Sequence, residues 1–402
     1  MNRKAFFTLC FFTYVCTYLC RVDLSSALIK MEKELALSPE KLGMIGSLFF
    51  CSYACGQLIN GFLGDRINPE KFVAIALVGT ISVNFLISLS NQYFVILFLW
   101  CINGCFQSMF WGPIMRMLSL RFPIEKKSML STGMSCSMMV AYILTWSVLG
   151  RLLLPSSWRS YFLVPAILTL IVLFFWLYQL FLKKESVSPP PTPPVVQVLS
   201  KFISGKLYRV AFICVCLGLI KESVLLWAPV ILTSLLGLQV KDSFLFLLIF
   251  PLVNFMGIFF SGAIARHFSK NLKYPLFLLF GIITCSAACL AFQGIPSLLY
   301  ICLLAIISAS SYGCNNILLG IAPLSYAKEG MVSSLVGIFD FSSYCGAAIS
   351  SYVLGVFLTE ENFTPVLFIW AGVSIIALLL VARIQLSAHH DQKEVVHAVK
   401  RN

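Results

Sequence analysis

Arg21 lies inside the first hydrophobic stretch, AFFTLCFFTYVCTYLCRVDLSSALI, Ala5 to Ile29, and Asp23 lies there with it. A charge near the centre of a membrane helix costs at least ~2.5 to 3.5 kcal/mol on insertion scales, so an intramembrane ion reads as functional by default. Lys221 sits mid-span in VAFICVCLGLIKESVLLWAPVIL, too deep to snorkel easily to either surface. Two such cations facing one another would make an anion site. A phosphate oxyanion close to each would gain about 4 kcal/mol per unit-charge pair at an effective dielectric near 20, offsetting much of the desolvation of a small dianion. Arg suits forked contacts to phosphate or carboxylate, while Lys acts as a point charge.

Other side chains can join this pair. Tyr14, Tyr18 and Arg21 follow one another at spacings of four and three, which puts two phenols and the guanidinium on one helix face. Asp23 stands about 200° round the helix from Arg21 and does not face it; a neighbouring helix or a transported proton is left as its partner. Glu222 follows Lys221 directly and either neutralises it or faces elsewhere. Asp340, in GIFDFSSYCGAA, is a third intramembrane carboxylate. Asp23, Glu222 and Asp340 are thus the possible coupling carboxylates. Intramembrane amides mostly bond between helices; Gln57, Gln107 and Asn316 are the candidates for substrate contact. Arg116, near a span end, is expected to snorkel. Gly61, Asp65 and Arg66 in GFLGDR combine close helix approach with an acid and a base at a helix end, and read as a gate that shuts one membrane face.

Composition defines the elements that must hold these groups. Of 402 residues, 59% are hydrophobic and 11% charged, with mean hydropathy +0.91. That is a polytopic membrane protein, all-α. Apolar runs near 5-29, 42-63, 72-90, 93-119, 129-153, 158-182, 207-236, 243-264, 273-293, 296-323, 330-357 and 362-385 predict 12 transmembrane helices. Residues 183-206 carry five prolines, and an extended polyproline course is expected over this cytoplasmic linker. The domains are then 1-182, an N-terminal six-helix bundle; the linker; 207-385, a C-terminal six-helix bundle; and 386-402, a tail. Most Lys and Arg outside the spans fall in loops on the side of the termini. The positive-inside rule therefore places both termini in the cytoplasm of a cell (inner) membrane protein.

The cations, 29 against 16 Asp and Glu, sit in short loops and form no basic face, so no nucleic acid is expected. The first run is expected to be an uncleaved span, because Arg21 and Asp23 interrupt the place of a cleavage site. The 15 cysteines fall inside apolar runs with no His or carboxylate beside them, so neither disulfides nor a metal is expected. No GxxxxGK[ST] loop marks ATP use, no nucleophile-base constellation marks an enzyme, and no cofactor is implied. The four histidines lie in loops and tail, which excludes an intramembrane histidine relay.

The halves repeat. Gly56, Gly61, Asp65 and Arg66 correspond to Gly257, Gly262, Arg266 and His267 at an offset of 201, and Gly104, Cys105 and Gln107 to Gly313, Cys314 and Asn316 at 209. An offset of 200 takes Arg21 to Lys221. Such duplications place a transporter's site between the repeats, near the bilayer midplane.

Twelve spans, the central linker and GFLGDR resemble the major facilitator superfamily over nearly the whole chain. Within it, YVCTYLCRVDLSSAL, GQLINGFLGDRINPEKF, Asn84, LWCINGCFQSMFWGPIMRML and LIKESVLLWAP resemble the organophosphate:phosphate antiporters, the fourth-span string being the most specific. The resemblance implies two pseudo-symmetric six-helix bundles and alternating access. It implies phosphate binding at Arg21 and Lys221 with help from Tyr14 and Tyr18, and exchange of inorganic phosphate for a phosphorylated metabolite. The sequence departs from the glycerol-phosphate and hexose-phosphate pattern in having Lys221 for Arg, no lysine near Gln57, no histidine near Met138, Gly218 for Tyr and Asp23 for Asn. The expectation is a monomeric carrier of a small anionic substrate. A proton-coupled organic-anion symporter of the same fold and a transport-like sugar-phosphate sensor are the alternatives.

Overall fold

A computed structural model describes residues 2–37, 39–149, 152–153, 156–182, 193–236, 248–291, 295–357, 364–384 and 386. The long helices are α1 (Arg3–Glu34), α2 (Pro39–Arg66), α3 (Pro69–Leu89), α4 (Tyr93–Gln107), α5 (Trp111–Arg121), α6 (Lys127–Ile143) and α7 (Arg159–Leu182). After the linker come α8 (Val195–Ser204), α9 (Tyr208–Leu236), α10 (Ile249–His267), α11 (Lys273–Leu290), α12 (Ser297–Asn315), α13 (Val332–Phe357) and α14 (Thr364–Ala382). The described residues contain no strand. Ten segments are long and apolar enough to cross a bilayer. With α9 and the shorter α14, this gives the twelve expected spans, six on each side of the linker.

Local chemistry explains where helices start and bend. Asn68 caps α3 by accepting the amides of Glu70 and Lys71 at 3.0 and 3.1 Å, and Pro69 occupies the first helical position, where no N–H is needed. The fourth span is not the continuous helix expected. It breaks after Gln107 and restarts at Trp111, with Pro113 in the first turn of α5. The tenth span departs from α-geometry at the corresponding place: Asn316, the repeat mate of Gln107, opens a π-helical segment to Ile321. The duplication thus extends to helix irregularities, which collect at functional regions.

The expected extended linker is corrected in part. Residues 183–192 lie outside the described residues, but Val195–Ser204 is helical. All five prolines precede it, and VVQVLSKFIS carries apolar residues at helical spacing, so Val198 is buried against the C-terminal half. At Gly205 and Lys206, the latter at φ 56°, the chain turns through 84° into α9.

The two halves meet along α2 with α13 and along α6 with α10, pairs exchanged by the internal repeat. Small residues permit the approach. Gly61 lies against Gly337, such that a Cβ on Gly61 would meet the Gly337 Cα at 2.8 Å. Its repeat mate Gly262 lies against Thr132. Gly218 faces the Ser343 backbone, with the Ser343 Cα 3.0 Å from any added Cβ. This accounts for the missing tyrosine: α9 and α13 are too close to admit one. The Gly218→Leu protein should unfold at a lower temperature in detergent, by the ~1–3 kcal/mol or more that overpacking costs. Gly281→Leu, where nothing lies within 4 Å, should not. Equal midpoints for the two variants would refute the packing account.

Candidate functional site

Arg21 projects from α1 to the seam between the halves. Its Nη2 donates to the Tyr344 hydroxyl of α13. Its guanidinium carbon lies 4.2 Å from the Tyr53 ring centroid, 5.2 Å from Tyr18, 5.4 Å from Phe49 and 5.5 Å from Tyr344. Among the described residues no carboxylate forms an ion pair with it. Aromatic faces attract a desolvated guanidinium by about 2 kcal/mol or more each in favourable geometry, so the cage holds the cation without neutralising it. Tyr53 is fixed in turn: Gln57 donates an amide hydrogen to its hydroxyl at 2.6 Å, and the hydroxyl donates to Asp340 Oδ2 at 3.4 Å.

Lys221 is a different kind of cation. Its Nζ is 3.0 Å from Glu222 Oε1, donates to Asn315 Oδ1 at 3.0 Å, and lies 5.5 Å from the centroid of Tyr312. Of the two readings of Glu222, the structure gives the one that neutralises Lys221. Asp340 lies within electrostatic reach of both Lys221 and Arg21. Across the seam it accepts its hydrogen bond from Tyr53, whose ring faces Arg21.

The remaining predicted residues divide. Tyr18 faces Arg21, and Tyr14 packs between Tyr18 and Trp111, with ring centroids 5.1 and 4.8 Å away. Gln107 donates to the Thr17 carbonyl at 3.1 Å, which pins the fourth span to the first. Asn316 bridges the halves: its Oδ1 accepts from Ser135 at 3.0 Å and Ser131 at 3.3 Å, and its amide donates to Ser261 at 3.0 Å and Thr132 at 3.2 Å. Both amides bond to neighbouring helices. Asp23 faces away from Arg21, as its spacing requires. Its Oδ1 accepts the Leu24 amide at 2.7 Å, and its buried Oδ2 has no partner among the described residues.

The residues expected to form a gate lie at one face, the one holding the connections near residues 67 and 331. Asp65 accepts the amides of Ser333 and Ser334 at 3.0 and 2.7 Å, at the start of α13, where exposed N–H groups and the helix dipole favour an anion. Arg116 is fully buried and does not snorkel. Its Nη1 donates to the carbonyls of Gly64 at 2.6 Å and Ile67 at 3.2 Å, and its Nε stands 3.8 Å from Asp65. Arg66 caps its own helix at the Phe62 carbonyl and reaches the Pro193 carbonyl of the linker at 3.3 Å. Lys127 adds a bond to the Leu324 carbonyl and Trp111 one to that of Leu319, both at 3.1 Å and both across the halves.

Sequence reasoning missed Tyr53 and Tyr312, the rings beside Arg21 and Lys221. Tyr53, Gln57, Gly61 and Asp65 recur every four residues, and the structure shows them as one stripe that meets Tyr344, Asp340, Gly337 and Ser333 on the antiparallel α13.

The Major Facilitator Superfamily profile matches residues 10–351. A protein named "Probable hexose phosphate transport protein" from Chlamydia muridarum (strain MoPn / Nigg) is 23% identical over 392 residues, covering 88% of this chain and 84% of that protein. The glycerol-3-phosphate transporter of Bacillus subtilis (strain 168) is 24% identical over 405 residues, covering 92% and 90%. Among solved structures, FucP, a major facilitator transporter in the outward conformation, superposes with a TM-score of 0.72 at 14% identity, covering 94% of this chain and 97% of that one.

Removing the Asp65 carboxylate leaves Arg116 buried without its counter-charge and frees two amides at the start of α13. Asp65→Ala should therefore speed amide exchange in the peptide spanning 331–337 by about tenfold or more, measured by hydrogen–deuterium exchange mass spectrometry. Unchanged protection there would remove Asp65 from the gate.

Proposed function

This chain belongs to the Major Facilitator Superfamily, and we propose that it exchanges a phosphorylated metabolite for inorganic phosphate by alternating access. It is a transporter and not an enzyme. The observation that carries the reading is Arg21: a guanidinium in the membrane interior, aimed at the seam between the halves, held by rings and hydroxyls and by no carboxylate of the described structure. Phosphate oxygens can replace the Tyr344 hydroxyl and leave the ring contacts in place. The names of the two bacterial relatives, hexose phosphate and glycerol-3-phosphate, support the substrate class.

The charge bias of the loops supports an orientation with both termini and the Asp65 face in the cytoplasm of the cell membrane. The contacts of Asp65, Asn316 and Lys127 then belong to a state closed towards the cytoplasm. One chain supplies both halves of the site, which fits a monomer. Tyr14 and Tyr18 keep the site face of α1 aromatic, and Gln57 acts through Tyr53. Binding an anion draws Tyr344 and Tyr53, which belong to opposite halves, into a new arrangement about Arg21; the α2–α13 and α6–α10 seams then part on one face as they close on the other.

One observation favours proton coupling as a second reading. Lys221 is already paired with Glu222, and Asp340 bonds to Tyr53 beside Arg21, so a dianion entering the site leaves excess negative charge unless a proton comes with it. Uptake driven by an imposed pH gradient, with no phosphate inside the vesicle, would select that mode.

In phosphate-loaded proteoliposomes, Arg21→Ala and Lys221→Ala should each lower kcat/KM for organophosphate uptake roughly a hundredfold or more, the loss expected when one partner of a desolvated charge pair is removed. Arg21→Lys should recover only part, since the fork is lost. Wild-type exchange in both alanine variants would refute the site.

A further inference from the structure

We propose that α8 is a membrane-surface helix: it lies in the headgroup layer on the Asp65 side of the bilayer, with its exposed apolar face in the acyl boundary and its basic end on anionic phospholipid, and from there it braces the two halves. This surface lies outside the cation pair and does not depend on what the carrier transports.

The helix is oriented by its neighbour. α9 crosses the bilayer, so the 84° turn at Gly205 and Lys206 leaves α8 nearly in the membrane plane. At 3.6 residues per turn its side chains fall into three stripes. Val198 and Phe202 turn inward, Val198 buried in the C-terminal core and Phe202 packed against it. Val195, Val196, Leu199 and Ile203 form a second stripe that is exposed, Val196 to 77% and Ile203 to 66%. Gln197, Ser200 and Ser204 form a third, exposed and polar, about 120° round the helix from the second. An apolar stripe and a polar stripe on a helix at right angles to a span suit an interface, one side in lipid and the other in water.

The surroundings of the apolar stripe favour lipid as its occupant. Beyond the turn the exposed apolar residues continue with Tyr208 and Phe212, four apart on one face of the spanning α9. A tyrosine at such a boundary suits the headgroup level. Lys206 is exposed at the turn, and Arg209 follows it with Nη1 on the Arg383 carbonyl at 2.8 Å. Cations at this level attract anionic headgroups.

The same segment touches both halves. Arg66 of α2 donates to the Pro193 carbonyl, just before α8, at 3.3 Å, and Lys201 pairs with Glu329, four residues before Ser333, at 2.6 Å. Asp65 and Ser333 are bonded to each other beside these contacts. A helix fixed to the bilayer and tied to both partners resists the parting of α2 from α13 at this face.

The test places the photoreactive residue benzoylphenylalanine at Val196, Ile203, Gln197 or Ser204 of the full chain, in nanodiscs of phosphatidylcholine and phosphatidylglycerol, and identifies the adducts by mass spectrometry. Lipid adducts at Val196 and Ile203 should exceed those at Gln197 and Ser204 about fivefold or more. Equal yields at all four positions overturn the docking, as do protein adducts at Val196 and Ile203, which a second copy or another segment of the chain would give. Hydrogen–deuterium exchange over 195–204 should be about threefold slower with phosphatidylglycerol than in phosphatidylcholine alone; equal exchange overturns the anionic-lipid contact. Ile203→Asn should speed exchange both there and over 331–337, and Ser204→Asn, the same change on the polar stripe, should leave both as they are. Gel filtration establishes that each variant is folded. Unaltered exchange over 331–337 in Ile203→Asn overturns the brace.

Discussion

A guanidinium held within the membrane with no carboxylate partner among the described residues is the constraint around which this structure is arranged. Desolvation penalises any ion in a low-dielectric interior, and partners must offset that penalty. At Arg21 the partners are polarisable rings and one hydroxyl, drawn from both halves: Tyr18, Phe49 and Tyr53 from one, Tyr344 from the other. A carboxylate would bind the arginine more strongly and would also compete with any incoming anion. The rings stabilise the cation and leave its N–H groups exchangeable. The same interaction couples α1 to α13, so a change at Arg21 is felt at the seam that must open.

That seam is built to separate. Along α2 and α13 the contacts alternate between glycine against backbone, at Gly61 and Gly337, and a few directional bonds, at Asp65 and Ser333 with Ser334. Close backbone approach gains dispersion over a large area without interlocking side chains that would have to change rotamer for the halves to slide. The directional bonds fix the register. Asn316 serves the α6–α10 seam in the same way, its one amide meeting serines and a threonine of both halves. The seams are thus held by a small number of bonds, a scale at which the binding energy of one small dianion can shift the balance.

Much of this was legible in the sequence because the bilayer simplifies the code. Apolar run length locates the spans, and any charge within them stands out; Arg21, Lys221, Glu222 and Asp340 all converge on the seam. The offset of 201 identified Gly61 and Gly262, and the structure places both at equivalent inter-half contacts. What stayed hidden depends on partners rather than on residue type. Arg116 looked like a snorkelling cation, but the carbonyls of Gly64 and Ile67 and the nearby Asp65 hold it in place. The partners of Gln107 and Asn316 on neighbouring helices, Thr17 and the serines and threonine of the seam, could not be read from residue type. Tyrosines are common in spans, so Tyr53 could be singled out only once its register against α13 was known. The linker helix was masked by the prolines just before it, whose stiffness ends at Pro194.

The charge balance explains why Lys221 and Arg21 are not interchangeable despite their equivalent places in the repeat. Lys221 is held by Glu222 and Asn315 within its own half and is neutralised before any substrate arrives. Arg21 is held across the halves and is not. On the proposed reading an anion gains most by approaching Arg21 first, where no ion pair of the described residues has to be broken, and engages Lys221 as Glu222 moves away. That order joins substrate capture to a specific rearrangement in the C-terminal half, and Asp340, within reach of both cations and bonded to Tyr53 of the N-terminal half, is placed to register it. A carrier with two unpartnered cations would be governed by their mutual repulsion. With one cation paired and the other held by rings, the proposed carrier would couple the movement of its halves to the exchange of partners at Lys221.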